Sequence, residues 1–335
     1  MTLRAWSSFQ FDNHGWTLGG QNRVAGTGQS GLASLRSTSG AAQGAAYGFA
    51  ALSELIVGFC HRFTNHSSET PIFRLGTSGT IQFQLRVAAD GAIIASRGSG
   101  AGTELGRTVP GIINNNVECY IEIRVKASTT VGEVEVHVNG NPTPILNLAG
   151  VNTGAASYNE QTFLGDGADG TRDYSAWYLI EVDATAPNDF LGHIRFAAPQ
   201  PTGNGNSSQL VGSDGNGVDN YLLVDDPPLT HDSDATYVQS GTVGEKDTYA
   251  MDNLPTTPLS IIAVCPLIIA TKTDAGTRSI KQVVRSGGAD YDGDPAFLGT
   301  SYNTFKQAFL LDPNGDIAWT ESAVNAMEVG VKVAS

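Results

Sequence analysis

Acidic side chains at two-residue spacing are the first feature of this sequence that could perform chemistry. Glu133, Glu135 and His137 alternate with valines in "GEVEVHVNG", and Glu118 and Glu122 alternate with apolar residues in "ECYIEIRVK". In a β-strand, residues i and i+2 share one face and lie about 6.6 Å apart. The two carboxyl groups of a retaining glycosidase lie about 5–5.5 Å apart. A glycan hydrolase is therefore one hypothesis.

The same acids also have a purely structural interpretation. Arg124 and Lys126 lie on the polar face of the first of these two strands. If the strands form a hairpin, the basic side chains face acids of the second strand as exposed ion pairs, which contribute at most about 1 kcal/mol each. The sequence favours this structural role, and we expect no catalytic residues.

Four segments rich in Asp and Gly could offer oxygen ligands to calcium. They are "GDGADG" (165–170), "SDGNGVDN" (213–220), "DDPPLTHDSD" (225–234) and "DYDGDP" (290–295). None has the D-x-[DN]-x-[DN]-G-x₅-E spacing of a high-affinity calcium loop. Asp and Gly are also the residues that turns require, so each segment alone predicts a turn.

Other catalytic signatures are absent from the sequence. The six histidines show no zinc-ligand spacing, and no G-x-S-x-G or phosphate-loop string occurs.

An exposed indole could stack on a sugar. Trp177 and Trp319 lie in or beside predicted strands, which favours core packing. Trp6 and Trp16 are therefore the candidates for glycan contact.

Composition limits the classes of partner. The 335 residues carry a net charge of −14, so the positive charge that phosphate recognition requires is missing, and we expect neither a nucleic-acid nor a membrane partner. Cys60, Cys119 and Cys265 lie in apolar runs and predict buried free thiols in a reducing compartment. The start, "MTLRAWSSFQ", predicts no secretory signal, and no apolar run approaches membrane-spanning length.

Strict alternation of apolar and polar residues predicts antiparallel strands with one face on a core and one face toward water. The pattern is clear in "TIQFQLRV", "ECYIEIRVK" and "GEVEVHVNG". Further strands are predicted in "ELIVGFCHRF", "PIFRL", "AIIASR" and "AWYLIEVD". Many strands with Gly-rich turns and almost no helical period indicate an all-β, two-sheet sandwich.

The break at Ala186-Pro187-Asn188-Asp189 predicts a joint, because Pro and Asn/Asp favour turns. We expect a first domain over 1–185 and a C-terminal β-module for assembly over 186–335, opening with the strand "FLGHIRF". In that module, "PTGNGNSSQ" predicts a loop and "NYLLVDD" a strand. Pro266 inside "LSIIAVCPLIIA" predicts an edge or bulged strand.

The run from "CYIEIRVKA" to "GEVEVHVNG", followed by "FLGDGADGTRDYSAWYLIEVD", resembles the concanavalin A-like (laminin G-like) jelly-roll family. The resemblance covers residues 1 to about 183 and implies a jelly-roll sandwich, followed by a smaller β-sandwich or β-barrel-like module. It also implies a cation site at Asp166 and Asp169, with calcium as the one candidate cofactor. Hydrolases of this fold carry an E-x-D-x-x-E strand, which is absent here.

The joint "APNDFLGHIRF", "AVCPLIIATKTDAGTRS" and the terminal "DPNGDIAWTESAVNAMEVGVKVAS" resemble virion structural proteins of tailed bacteriophages. The resemblance implies a non-enzymatic tail or fibre protein, made in the host cytoplasm and located in the virion. Its partners would be copies of itself, other virion proteins and host-surface glycans. A capsid or neck (collar) decoration protein and a lectin-like carbohydrate-binding module are the alternatives.

Overall fold

The structure is a computed structural model that describes residues 3–9, 16–19, 21–29, 32–38, 43–165, 170–183, 189–227 and 230–335. The chain divides into two compact units, Met1–Phe196 and Ala197–Ser335. The predicted domain boundary between residues 185 and 186 lies outside the described residues. Within them, no helix is long and apolar enough to cross a membrane.

Fifteen antiparallel strands are found among the described residues of the first unit. They are β1 (Leu3–Ser7), β2 (Trp16–Leu18), β3 (Asn22–Val24), β4 (Ser34–Ser37), β5 (Gln43–Leu52), β6 (Glu54–Phe63), β7 (Thr70–Thr77), β8 (Thr80–Val87), β9 (Ile93–Arg97), β10 (Thr103–Arg107), β11 (Cys119–Lys126), β12 (Gly132–Val138), β13 (Leu146–Val151), β14 (Tyr158–Gly165) and β15 (Arg172–Glu181). Sheet I has the order β13-β12-β11-β6-β15-β4-β3, with β1 also paired to β15. Sheet II has the order β10-β9-β8-β7-β14-β5-β2.

The two sheets pack face to face as an antiparallel sandwich around a shared core, so the predicted all-β, two-sheet architecture is confirmed. The inward residues of β11 and β12 are those that the alternation predicts, since Cys119, Ile121, Ile123, Val134 and Val136 all belong to the main core. The predicted hairpin is also confirmed, because β11 and β12 pair from Ile121↔Val138 to Lys126↔Glu133.

An aromatic cluster fills the centre of this core. Phe163 stacks on Trp16 with a ring-centroid distance of 4.9 Å and on Tyr174 at 4.4 Å. Trp177 meets Trp16 edge-on at 4.9 Å. Tyr174 and Trp177 both point inward although they are three residues apart, because a bulge with positive φ at Ala176 shifts the alternation of β15.

The outer face of sheet I differs from the prediction. Tyr120, Glu122 and His137 are 1%, 1% and 5% exposed, although the alternation places them toward water. Residues 190–196, here called the strap, cover this face with Phe190, Leu191, Ile194 and Phe196. The strap is the segment "FLGHIRF", predicted as a strand, and it has no strand pairing. Its apolar residues pack onto a sheet instead of joining one.

The second unit contains a small antiparallel sheet, sheet III. Its strands are β16 (Pro201–Ser208), β19 (Lys246–Met251), β21 (Ser279–Ser286), β22 (Ala289–Asp292), β23 (Ala296–Phe297) and β25 (Glu328–Val333). Two two-stranded pairs accompany it: β17 (Val211–Gly212) with β18 (Val238–Gln239), and β20 (Leu267–Ala270) with β24 (Asn303–Lys306). Helix α1 (Glu321–Ala326), capped by Thr320, precedes β25.

Three local predictions for this unit need correction. The segment "PTGNGNSS", predicted as a loop, is strand β16, because its backbone pairs with β19. The segment "NYLLVDD", predicted as a strand, begins as a 3₁₀ helix over Asn220–Leu223 that Asn220 anchors to the carbonyl of Leu210. Cys265 is only half-buried, while Cys60 and Cys119 are buried, and all three are free thiols.

Truncation of Phe163 tests the aromatic centre of the core. We expect Phe163→Ala to lower the free energy of unfolding of the sandwich by about 3–5 kcal/mol, because a fully buried ring leaves a cavity. Val131→Ala, at a side chain 63% exposed, should change it by no more than about 0.5 kcal/mol. Denaturant unfolding measures both. Equal effects would show that the cluster does not hold the sheets together.

The buried His61 predicts acid sensitivity. It is 1% exposed between the rings of Phe63 and Tyr174, and burial holds its pKa well below 6.5. As the pH falls below about 6.5, His61 takes up a proton in the unfolded chain but stays neutral in the folded chain. Protonation therefore favours the unfolded state, and the free energy of unfolding decreases. We expect His61→Leu to flatten the fall in unfolding free energy between pH 7 and pH 5. An unchanged slope would assign the acid sensitivity to other groups.

Candidate functional site

The carboxylates that suggested hydrolysis are engaged in separate structural contacts. Glu133 is exposed and accepts from Lys126 Nζ at 2.8 Å, as predicted for the hairpin. Glu135 instead lies 2.8 Å from His137 Nε2, and Arg124 pairs with Glu54 on β6. Glu133 and Glu135 on β12 therefore have different partners, and Glu118 is exposed.

Glu122 has an unusual environment beneath the strap. One of its oxygens, Oε1, accepts from Tyr178 OH at 2.5 Å and from the backbone N–H of Gly192 at 2.9 Å. The Tyr178 hydroxyl accepts in turn from the N–H of Leu191 at 3.2 Å. Burial raises the pKa of Glu122, and burial together with the nearby Glu122 raises the pKa of Tyr178 well above 10.

Aromatic contacts close the strap on both sides of Glu122. Phe190 lies 4.3 Å from the His137 ring, and His193 stacks on Tyr120 at 4.8 Å. Burial also lowers the pKa of His193, so this imidazole is neutral at pH 7 and suits an apolar stack. Groups with perturbed pKa values often mark active sites. Here the strap packs over these groups, so the contacts of this cluster fasten the strap to sheet I.

The outer face of sheet II is different, because fixed polar groups cross it. Side chains next to the core residues Phe73, Phe163 and Ala95 point away from the core and line up across the strands. This cross-strand row is defined by the register pairs Thr17↔Ala46↔Thr162↔Arg74↔Gln84↔Ser96↔Glu104. It runs at right angles to the strands and crosses all seven strands of sheet II, from β2 to β10.

The row is held at one end by a glycine loop. Gln84 is fully buried, and its Nε2 donates to the carbonyl of Gly100 at 2.7 Å. Gly98, Gly100 and Gly102 have positive φ, which lets the 98–102 loop curl back toward the sheet. Arg74 Nε donates to Gln84 Oε1 at 3.5 Å. The amide and the guanidinium are therefore fixed before any ligand arrives.

The other end of the row is shallow and lined by small residues. Gly44, Ala46 and Gly48 lie on the same face of β5, and a Cβ at Gly48 would meet no atom within 4 Å. Beside them, Thr162 and Glu160 on β14 are half-buried. Hydroxyl, carboxylate and guanidinium groups thus border a flat floor without bulky side chains. This arrangement can exchange several hydrogen bonds with a polyhydroxyl ligand.

The residues predicted as site residues lie elsewhere. Trp16 is 3% exposed and packed between Phe163, Tyr47 and Trp177, so no ring face is open to a sugar, which corrects that prediction. Trp6 is half-buried and packs on the outer cluster of sheet I with Tyr178. Asp166 and Asp169 lie outside the described residues. In the part of the chain that is described, no group of three or more His, Cys, Asp or Glu could hold a metal ion.

The cross-strand row was missed by the sequence analysis. Gln84 and Arg86 were recognised as polar positions of "TIQFQLRV", and Arg74 lies in "PIFRL". Nothing in these strings shows that Arg74 and Gln84 are opposite each other, or that Thr162 follows. The missing information is the pairing of β7 with β14, strands about 90 residues apart in the chain.

No family model matches the chain, and no curated protein matches it. Among solved structures, similarity is found to "Cellulose induced protein, Cip1" (13% identity, 52% of this chain, 96% of that chain, TM-score 0.41). Others are the VIP36 exoplasmic/lumenal domain in a Ca²⁺/Man3GlcNAc-bound form (9%, 55% and 95%, TM-score 0.37) and carbohydrate-binding module CBM66 from Bacillus subtilis (10%, 50% and 96%, TM-score 0.34).

Substitution of Glu122 tests how the strap is fastened. Glu122→Ala removes the acceptor of two hydrogen bonds, so we expect the amide of Gly192 to exchange with deuterium at least about 10-fold faster. Glu122→Gln keeps an acceptor oxygen and should retain the protection. It should also remove the loss of stability above about pH 4.5 that a raised carboxyl pKa causes. Undiminished protection in Glu122→Ala would mean that apolar contacts alone hold the strap.

Proposed function

We propose that this chain is a non-enzymatic, lectin-like carbohydrate-binding protein whose sandwich binds glycan on the outer face of sheet II. The observation that carries the proposal is the cross-strand row, in which Thr162 and Arg74 present hydrogen-bonding groups beside the small residues of β5, while the buried Gln84 holds the Arg74 guanidinium in place. On the opposite outer face, that of sheet I, the strap covers the middle strands β6, β11 and β15.

The chemistry of the row suits sugars better than other ligands. A pyranose presents several hydroxyls that both donate and accept. Arg74 supplies donors only, Glu160 supplies acceptors, and Thr162 supplies both. These groups stand on paired strands, so little side-chain freedom is lost on binding. A Cβ at Gly48 would meet no atom within 4 Å, which leaves space for a sugar ring close to the sheet at this position.

The described part of the row has no exposed aromatic ring, so each glycan contact rests on hydrogen bonds that compete with water. A single site of this kind binds weakly, because a typical hydrogen bond contributes only about 0.5–1.5 kcal/mol net. Several copies of the chain on one particle or in one oligomer would convert weak contacts into useful avidity.

A blocked row tests the proposed site. We expect the full chain to bind a subset of glycans on an array, and Ala46→Arg to weaken that binding at least about 10-fold by filling the floor. Ala149→Arg is the matched control, because it places the same side chain at an exposed strand position of sheet I. Both variants should keep the melting temperature of the parent chain.

Two outcomes would reject the site. If the full chain, displayed in many copies, binds no glycan on the array, the carbohydrate function itself is rejected. Equal binding by the Ala46→Arg and Ala149→Arg proteins would keep the function but place it elsewhere on the chain.

A location in the virion of a tailed bacteriophage is the second part of the proposal. Its support is the resemblance of residues 186–196 and 312–335 to tail and fibre proteins. Both segments have demanding structural roles: the first supplies the strap, and the second supplies α1 and the central strand β25. Glycan binding is a function that a tail protein uses at the host surface, so the two parts are compatible.

Immunogold electron microscopy of particles from the source tests this location. Label on the tail or its tip is the expected result for a fibre role. Label over the head or collar would instead indicate a decoration protein, and unlabelled particles would contradict the virion assignment altogether.

A further inference from the structure

Exposure to solvent changes along the cross-strand row. The residues on β2, β5, β14 and β7 are exposed or half-buried, namely Thr17, Ala46, Thr162 and Arg74. The next two residues, Gln84 on β8 and Ser96 on β9, are 0% exposed, although they point away from the core. Glu104, on the edge strand β10, is exposed again. The row is therefore open from β2 to β7 and covered at β8 and β9.

The cover over β8 is the loop of the β9–β10 hairpin, residues 98–102, here called the wall. The Gly100 carbonyl accepts from Gln84 Nε2 at 2.7 Å, and a Cβ at Gly102 would lie 3.3 Å from the same nitrogen. Gly98 N–H donates to the Gln82 carbonyl at 2.8 Å. Because Gln84 points outward, these contacts place the wall on the outer face of sheet II, across the row.

The wall stands above the sheet next to Arg74. Residues 99–102 are exposed, so the wall has one side on Gln84 and another toward solvent. Arg74 is opposite Gln84 in the register, and its Nε lies 3.5 Å from Gln84 Oε1. A ligand that lies along the open part of the row therefore meets the wall directly after Arg74.

The open part of the row has a defined length. Strands β7, β14, β5 and β2 are neighbours in sheet II, so the distance from Arg74 to Thr17 is three strand spacings, or about 14 Å. A short oligosaccharide fits this length. A linear glycan that lies along the row cannot continue past Arg74, because its next sugar would overlap the wall.

We propose that the wall makes this site specific for the end of a glycan chain, with the terminal sugar bound at Arg74 against residues 98–102. This inference rests on the glycan site proposed for sheet II. A terminal sugar has a free hydroxyl where an internal sugar has its next glycosidic bond. Arg74 supplies N–H donors for that hydroxyl, and the wall sterically rejects the internal sugar. Thr162, on the next strand, then faces the second sugar.

Binding of oligosaccharides of two lengths tests the proposal. The probes are linear oligomers of glucose, mannose and N-acetylglucosamine, each as the trisaccharide and the hexasaccharide, titrated against the full chain by ligand-observed NMR. We expect at least one series to bind, with the two affinities within about threefold of each other, because the additional sugars of the hexasaccharide extend into water.

The outcomes separate this inference from the proposed function. A hexasaccharide that binds more than about threefold tighter than its trisaccharide would overturn recognition of the chain end but keep the glycan site. If no series binds at either length, the glycan site is rejected and the inference with it.

Substitution of Gln84 tests the part played by the wall. Gln84→Glu removes the donor to the Gly100 carbonyl and keeps an acceptor for Arg74. We expect the amides of residues 98–102 to exchange with deuterium at least about 5-fold faster in this variant. The hexasaccharide should then bind at least about 5-fold tighter than the trisaccharide, because Ser96 and Glu104 become accessible to the longer chain.

Gln82→Glu is the matched control, because it adds the same charge on the same strand and leaves the Gln84–Gly100 hydrogen bond in place. It should keep the wild-type exchange and the wild-type length preference. Gln84→Met, which keeps the side-chain length without the polar groups, is a second variant in case the carboxylate of Gln84→Glu prevents folding. Unchanged exchange in residues 98–102, or faster exchange with an unchanged length preference, would overturn the proposal.

Discussion

An antiparallel sheet has two faces, and packing two sheets together buries only one face of each. The aromatic centre around Phe163 and Trp177 uses the inner faces of sheets I and II. The two outer faces then have to be covered or made polar. The strap covers the middle of the outer face of sheet I, on β6, β11 and β15, and hydrogen-bonding groups occupy the outer face of sheet II. This difference between the two outer faces is the basis of the glycan site that we propose on sheet II.

The closed face depends on how a buried carboxyl group is satisfied. Glu122 lies on a strand face that would be wet without the strap, and it becomes 1% exposed beneath it. Removal of a carboxylate from water is costly unless hydrogen bonds compensate. Tyr178 and the Gly192 amide supply them, and the raised pKa of Glu122 favours its neutral form. The same contacts fix the path of the chain up to the end of the first unit at Phe196.

Local pattern was sufficient to predict the sandwich but not everything that covers it. Alternation in β8, β11 and β12 identified their inward residues, because side chains of a strand alternate whatever its neighbours are. The apolar residues of the strap have the same spacing as those of a strand. The strap packs onto a sheet instead of pairing because the outer face of sheet I is hydrophobic, and the sequence of the strap does not show this. The sequence does not predict strand β16 for the opposite reason: it has no alternating apolar side chains. Its pairing with β19 uses the backbone and the Thr248 hydroxyl, which accepts from the Ser207 N–H. The cross-strand row depends on register, which one sequence does not contain.

Hydrogen exchange of the full chain with and without its best-bound glycan would test the central claim most directly. The account predicts slower exchange in the strands that carry Arg74, Gln84 and Thr162, and unchanged exchange in the strap and in the second unit. Protection confined to the strap-covered face, or to residues 197–335, would contradict a glycan site on the outer face of sheet II.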